Sequence, residues 1–344
     1  MYAKFLRPFL FRFDPELAHD ATIQLLRLVG SFYPVYYLLD KCYNAHSHYT
    51  QSNKSKINIL GLQFTNKIGL AAGYDKDGLA WKGLTVFGFG HIEVGTVTPR
   101  AQSGNPKPRI FRIPDESSVI NRMGFPGKGA EFVARQISAR KTQRSSAILG
   151  VNIGKNKDTP NEDAAGDYLS LLEKFSGLAD YIAVNVSSPN TVGLRRLQAR
   201  DNLESLLNQL ATKRSNLSNS PPILVKLAPD LSDIELDDAL TAILNSGMDG
   251  IIATNTTLDH SGLKFPSKMQ TGGLSGAALT TLSQNIVRKI SLKISNQLPI
   301  IGVGGIMNSD DAKRMLDSGA SLIQIYTGLI YSGPGIVKSI LQEI

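Results

Sequence analysis

Four asparagines, two lysines and three glycine-rich strips carry most of the chemistry this sequence can offer. Each asparagine amide has two donors and an acceptor, the pairing set of a cyclic imide or urea edge, and Asn121, Asn185, Asn190 and Asn255 all fall in loops. Lys76 suits a substrate carboxylate or the edge of an anionic ring. Lys226 sits near the end of an apolar run, where an ammonium is costly to bury without an anionic partner. The strips are Gly272-Gly273-Leu274-Ser275-Gly276, Ile301-Gly302-Val303-Gly304-Gly305 and Gln324-Ile325-Tyr326-Thr327-Gly328. Glycines of this kind let a backbone approach phosphate oxygens. Carboxylates, histidines and cysteines are scarce in the same places. Metal hydrolysis and paired-carboxylate acid–base chemistry therefore lack their parts, whereas a cofactor that performs the redox step itself needs only orientation and hydrogen bonds.

A repeating rhythm that starts near residue 57 spaces these residues. Short runs rich in Val, Ile, Leu, Ala and Gly alternate with helical stretches: Lys67–Ala72, His91–Val97, Ala147–Ile153, Asp180–Val186, Ile223–Leu227, Gly250–Thr254, Pro299–Val303 and Leu322–Tyr326. Amphipathic segments such as Asp201–Leu210, Asp233–Asn245, Leu279–Ile294 and Asp310–Ser318 lie between them. Near-continuous apolar strands imply parallel strands buried on both faces. Eight strand–helix units predict a (β/α)8 TIM barrel, an α/β fold whose active site lies at the carboxyl ends of the strands. The residues just after each run are then the informative ones: Ala72, Gly73, Tyr74, Asp75 and Lys76, Thr96, Asn152, Asn185 to Asn190, Lys226, Thr254, Asn255 and Thr256, Gly304 and Gly305, Tyr326 and Thr327. Loops after strands seven and eight are the usual phosphate site of this fold, so a phosphorylated ligand is expected there.

The first fifty residues read differently. Phe5, Leu6, Phe9, Leu10, Phe11 and Phe13 are interleaved with Lys4, Arg7 and Arg12. Asp14-Pro15-Glu16 starts a helix with a capping carboxylate, an early proline and an acid near the positive end, and Gly30 is expected to stop it. Residues 1–45 predict a small helical module with more apolar surface than its size needs, suited to a membrane interface. A polar linker, 44–56, joins it to the barrel domain, 57–344, and His46 and His48 in it read as solvated. The net charge of +8 favours anionic partners. No basic run interleaved with aromatics suggests nucleic acid, and no apolar run is long enough to span a bilayer. Cys42 is the single cysteine, which excludes an intrachain disulfide and cysteine-based metal or iron–sulfur sites. No signal peptide is legible at the start, so a peripheral position on the cytoplasmic side of a bacterial inner membrane is expected.

Taken in order, Gly69-Leu-Ala-Ala-Gly-Tyr-Asp-Lys-Asp, Glu93-Val-Gly-Thr-Val-Thr-Pro-Arg, Asn121-Arg-Met-Gly-Phe, Gly150-Val-Asn-Ile-Gly-Lys-Asn, Asn185-Val-Ser-Ser-Pro-Asn-Thr, Gly272-Gly-Leu-Ser-Gly and Gln324-Ile-Tyr-Thr-Gly resemble the dihydroorotate dehydrogenases across nearly the whole chain. The resemblance implies FMN held by Ala72, Gly73, Tyr74, Asp75, Lys76, Thr96, Asn152, Asn185, Lys226, Thr254, Gly276, Gly305, Tyr326 and Thr327. It implies dihydroorotate and orotate held by Lys76, Asn121, Arg122, Met123, Gly124, Phe125, Asn185, Asn190, Asn255 and Thr256, with no metal. The position matching the family's base is Ser188. The soluble subclass, which reduces fumarate or NAD, carries a cysteine base, and this chain has none there. The N-terminal module resembles that of the membrane-associated subclass, where paired helices guide a quinone to the flavin and touch the lipid surface. Val192 departs from the proline common at that position in relatives.

The expected reaction removes a proton from the ring carbon beside a carbonyl and a hydride from its neighbour. A serine hydroxyl is a weak base, so alkaline pH and a relay for the proton are expected. Residues 187–200 are expected to form a lid. Other FMN barrels fit less well: a 2-hydroxy-acid oxidase needs a histidine base, and a tRNA dihydrouridine synthase needs a catalytic cysteine and an RNA-binding extension. A phospholigand-binding barrel without activity is the non-enzymatic alternative.

Overall fold

The computed structural model describes residues 2–43, 57–141, 147–191, 193–264 and 270–344. The linker 44–56 with His46 and His48, and the departure at Val192, lie outside the described residues. In chain order the strands are β1 (Ile57–Ile59), β2 (Leu62–Phe64), β3 (Ile68–Leu70), β4 (His91–Val97), β5 (Ile110–Ile113) and β6 (Ser118–Asn121). They continue as β7 (Ile148–Ile153), β8 (Tyr181–Asn185), β9 (Ile223–Leu227), β10 (Gly250–Ala253), β11 (Gly273–Gly276), β12 (Ile300–Val303) and β13 (Leu322–Ile325).

Strands β3, β4, β7, β8, β9, β10, β12 and β13 close a parallel barrel in that order. They are the eight apolar runs of the sequence, trimmed by a residue or two at their ends. Their outer faces, with Ile92, Val151, Ile182, Val225, Ile251 and Ile323, pack on amphipathic helices such as Arg200–Ser215, Asp233–Asn245, Thr280–Ile294 and Ser309–Asp317. The second of these starts in a reciprocal capping box between Ser232 and Glu235, which fixes its entry point. The β1–β2 hairpin plugs the floor of the barrel, where Ile57, Ile59 and Leu62 pack below Phe64, Tyr181 and Leu224. Inside, glycines face large side chains: a Cβ on Gly69 would lie 2.1 Å from the ring of His91, and one on Gly150 would lie 2.1 Å from Cζ of Tyr181.

A second sheet, which the apolar pattern did not announce, is antiparallel and runs β5-β6-β11. Asn121 pairs with Ile110 on one side and Gly273 on the other. The glycine-rich strip Gly272 to Gly276 is therefore largely a strand of this sheet, paired with the strand that leads into Asn121 to Phe125.

The N-terminal module begins with a π-helical turn, Tyr2–Leu6, and a short helix, Arg7–Leu10. Two helices follow, α1 (Pro15–Ser31) and α2 (Tyr33–Tyr43). Asp14 caps α1 by accepting from the Glu16 and Leu17 amides. Gly30 does not end the helix as expected. It lies in the last turn of α1 against the helix Trp81–Leu84, where a Cβ would meet the Gly83 nitrogen at 2.8 Å. The glycine serves packing rather than termination. Glu16, buried, receives Arg109 in a fork at 2.7 and 3.1 Å and Lys107 at 3.1 Å. Burial alone would raise its carboxyl pKa, but Arg109 and Lys107 hold it below the ordinary value. The Tyr2 hydroxyl and the Arg7 guanidinium bond the Ile330 and Tyr331 carbonyls.

Candidate active site

One cavity of about 490 Å³ begins at the carboxyl ends of the barrel strands and continues between α1 and the first residues of the chain. The two stretches differ in chemistry. Near the strands its walls are Lys76, Asn121, Asn185, Ser188, Asn190, Lys226, Thr254, Asn255 and Thr256. Toward the module they are Leu6, Leu10, Phe11, Ala18, Leu25 and Leu26. No aspartate or glutamate is among the described residues that line it, whereas Lys76 and Lys226 line its inner end and Arg112, bonded to the Leu10 and Phe13 carbonyls, its outer end. The cavity thus has a cationic inner end and an outer end that is mainly apolar, interrupted by Tyr2, His19 and Arg112.

The four asparagines meet here. Asn190 donates its amide to Asn121 Oδ1 at 3.1 Å, and Asn255 donates to Ser187 Oγ at 3.0 Å and Asn185 Oδ1 at 3.4 Å. Asn185 also donates to Thr96 Oγ1 at 2.9 Å. Ser188 stands in the loop after β8, buried, with its hydroxyl accepting from the Asn190 amide at 3.3 Å. Among the described residues, neither a carboxylate nor an imidazole bonds its hydroxyl. Phe125 adopts φ +54°, a conformation that bulky residues avoid. Its ring lies against Gly154, where a Cβ would come within 3.2 Å.

Burial pushes the Lys226 ammonium below its ordinary pKa, opposed by Glu93, and burial does the same to Lys76. Burial also takes His19 down to about 3, so its ring is neutral where it meets Tyr74 edge-on at 5.1 Å. The Tyr326 hydroxyl, pushed up to about 12 by burial, stays protonated and reaches the Gly73 carbonyl at 3.4 Å.

Three residues expected at the site are placed elsewhere. Asp75 turns inward to accept from the Leu79 and Ala80 amides at 2.9 and 2.7 Å, shaping the loop rather than facing the cavity. Asn152 lies one layer below, with Oδ1 accepting from Thr96 and Asn185 at 2.5 and 3.2 Å. Arg122 points outward, stacking on Phe111 at 4.6 Å and donating to the Pro108 carbonyl at 3.0 Å. Ala72, Gly73, Tyr74, Met123, Gly124, Gly276, Gly305 and Thr327 line the cavity as expected. Two groups escaped the sequence reading. Gln324 reaches the cavity from inside β13. Arg195 binds the Ser187 carbonyl at 3.1 Å, the Thr256 carbonyl at 2.9 Å and Asp230 at 2.6 Å, tying three loops around the serine. An arginine and an acid separated by 35 residues give no local signal.

A phosphorylated flavin fits this donor set. The glycine strips converge on one side, where the Ser275 and Thr327 hydroxyls are 2.9 Å apart and Gly305 sits against Thr280 so closely that a Cβ would lie 2.2 Å from its Cα. Gly276, Gly304 and Gly305 all have positive φ, which a side chain would strain. On the floor, the buried Gln324 Oε1 has no partner among the described residues, and the Lys226 ammonium faces the cavity.

Comparison with known proteins places this arrangement. Residues 54–344 match the family model described as dihydroorotate dehydrogenase. A protein of Janthinobacterium sp. (strain Marseille) named dihydroorotate dehydrogenase (quinone) is 46% identical over 340 residues, covering 96% of this chain and 95% of its own. One of the same name from Christiangramia forsetii is 44% identical and covers 100% and 98%. Among solved structures, the ligand-free DHODH of Eimeria tenella superposes with a TM-score of 0.87 at 37% identity, covering 96% of this chain and 94% of its own. The same protein in complex with ferulenol superposes with a TM-score of 0.86.

Proposed function

This chain belongs to the dihydroorotate dehydrogenase family, in its quinone-reducing class, and on that premise we propose which of its residues carry each step. The enzyme oxidises dihydroorotate to orotate in pyrimidine biosynthesis, with bound FMN supplying the hydride acceptor and passing two electrons to a quinone. The observation that carries the assignment of roles is the single cavity with a cationic inner end and a mainly apolar outer end.

At the inner end Lys76 binds the substrate carboxylate, and Asn121, Asn190 and Asn255 pair with the alternating N–H and C=O edge of the ring. Met123, Gly124, Phe125 and Thr256 close over it, while Arg122 braces their loop from outside. Ser188 takes the proton from the ring carbon beside the carbonyl. With no base bonded to its hydroxyl, it works best in alkaline solution. Arg195 and Asp230 seat the loop that carries it. For the cofactor, Lys226, Asn185, Thr96 and Thr254 lie at the floor, and Gly276, Gly305, Tyr326 and Thr327 hold the phosphate side. Asn152 and Asp75 act one layer back.

The outer end admits the apolar acceptor between α1 and the first turns of the chain, so residues 1–45 form a quinone-binding module and 57–344 the catalytic barrel. Among the described residues, all the exposed large hydrophobic side chains except Ile234, Leu258 and Leu292 lie within this module. Phe9, Phe13, Leu17, Leu28 and Phe32 are exposed alongside the basic Lys4, Arg12 and Arg27, the pattern of a surface that rests on anionic lipid. No helix among the described residues is long and apolar enough to cross a membrane. We place the module on the bilayer surface, at the cytoplasmic face of a bacterial inner membrane, on the strength of that exposed apolar and basic surface.

An anaerobic spectrum tests the reading. Dihydroorotate is expected to bleach the flavin bands, and a soluble ubiquinone analogue to restore them. Recovery on fumarate or NAD but not quinone would contradict the role of the outer end, and no bleaching would contradict that of the inner end.

A further inference from the structure

We propose that Glu93 is a positioning residue for the redox step, acting on the cavity through Lys226 and Asn152; the inference rests on the placement of FMN above Lys226. Glu93 stands in the middle of β4 with 0% exposure, inside the barrel and beneath the cavity. A carboxylate in that position is costly unless every lone pair is occupied. Three donors meet it from three other strands. Asn152 Nδ2 reaches Oε1 at 2.8 Å, while Gln324 Nε2 and the Tyr181 hydroxyl reach Oε2 at 2.8 and 3.0 Å. Burial, and then Glu93 itself, raise the Tyr181 hydroxyl well above its ordinary pKa, so it remains a donor. The cluster is a built anion site whose anion is part of the chain.

Two consequences reach the cavity. Lys226 Nζ lies 3.9 Å from Oε1, near enough for attraction and too far for a hydrogen bond. Glu93 thus favours the charged ammonium without using its donors, which stay free for a ligand in the cavity. The second consequence is orientational. By holding Nδ2 of Asn152, Glu93 fixes Oδ1 on the opposite side, where it receives Thr96 at 2.5 Å and Asn185 at 3.2 Å. Both of those line the cavity. One buried carboxylate sets the charge of one wall group and the direction of two others. Gly150 makes this possible, since any side chain there would occupy the space of the Tyr181 ring.

The test is the midpoint potential of the bound flavin in the holoenzyme, followed against pH in the wild type, Glu93→Gln and Tyr181→Phe. Glu93→Gln removes the charge that holds the Lys226 proton. Its potential is expected to acquire an extra one-proton dependence in the neutral to alkaline range, higher than wild type on the acid side of the break and falling beyond it. Tyr181→Phe removes one hydrogen bond and no charge, and is expected to keep the wild-type pH dependence. If Glu93→Gln does not retain FMN, Glu93→Asp decides. Withdrawing the carboxylate by one methylene is expected to give the same break at higher pH, and wild-type behaviour overturns the proposal. A Tyr181→Phe break equal to that of Glu93→Gln also overturns it, because the effect would then be structural. A wild type that dihydroorotate fails to bleach overturns the reading of the site itself. A bleached wild type whose Glu93→Gln variant tracks it across pH overturns only the role of Glu93.

Discussion

The two ends of the cavity are built in opposite ways. At the inner end, polar side chains from many strands and loops bind one another, so each amide has a fixed direction before any ligand arrives. At the outer end, apolar side chains from a few adjacent helical turns face the cavity and solvent, and the polar contacts there serve only to dock the module. Preorganised polarity suits a small anion that must be held for proton and hydride transfer. An adaptable apolar wall suits a quinone, which needs to arrive from lipid, exchange electrons and leave.

Changes confined to one end should therefore affect one half-reaction. The largest effect is expected at Ser188. Ser188→Ala should slow flavin reduction by dihydroorotate by about 10²–10⁴-fold in stopped-flow measurements, with orotate binding and quinone-driven reoxidation unchanged. A near-wild-type rate would remove Ser188 from its role.

Next in size is the docking pair. Arg109→Met strips Glu16 of its closest partner while Lys107 remains at 3.1 Å, so a loss of about 1–3 kcal/mol is expected. Chemical denaturation should show that loss, and quinone reduction should suffer more than reduction by dihydroorotate. The same pair gives a pH dependence. The Glu16 carboxyl pKa is lowered in the fold, so its stabilisation is present above the ordinary glutamate value and is lost as the solution becomes more acid than the lowered one. Quinone activity should fail first on acidification.

A smaller effect lies in neither end. His91 is fully buried on the barrel floor, with neither ring nitrogen partnered among the described residues, and packs edge-on to Phe64 and Tyr181. Burial holds its pKa at about 3 against 6.5 for the free side chain. Its neutral form is retained in the fold while the unfolded chain takes up a proton, so stability falls as pH drops from 6.5 toward 3. His91→Phe should stabilise the barrel by about 1–2 kcal/mol at neutral pH and flatten the melting temperature across that window, with both half-reactions intact. Destabilisation at neutral pH would mean the imidazole has a partner that the packing does not reveal.

The inner end was the more legible in the sequence because a parallel barrel announces itself. Strands buried on both faces read as unbroken apolar runs, and the fold then puts whatever follows them at one mouth. Asn185, Lys226, Thr254 and Tyr326 could be placed by that logic alone. It failed where pairing is distant or the residue turns away. The β5-β6-β11 sheet joins Asn121 to Gly273 through four-residue strands of mixed character, too short to show a period. Asp75 follows a strand yet serves its own loop, and Arg122 alternates to the outer face of its segment. Glu93 and Gln324 lay inside runs read for their hydrophobic content, although a glutamate in mid-strand was itself the signal of a buried polar hub. Gly30 shows the remaining ambiguity: a glycine late in a helix reads as a stop, and only the partner helix at Gly83 reveals a contact.

The most direct test of a shared cavity with two separable ends is to obstruct the outer one. Ala18 lines it from α1, away from Ser188 and Lys226. In Ala18→Trp, stopped-flow traces should show flavin reduction by dihydroorotate at the wild-type rate and reoxidation by a ubiquinone analogue slowed by at least about tenfold, since an indole inserted into the route overpacks it by about 1–3 kcal/mol. Equal slowing of both half-reactions, or unimpeded reoxidation, would contradict the account.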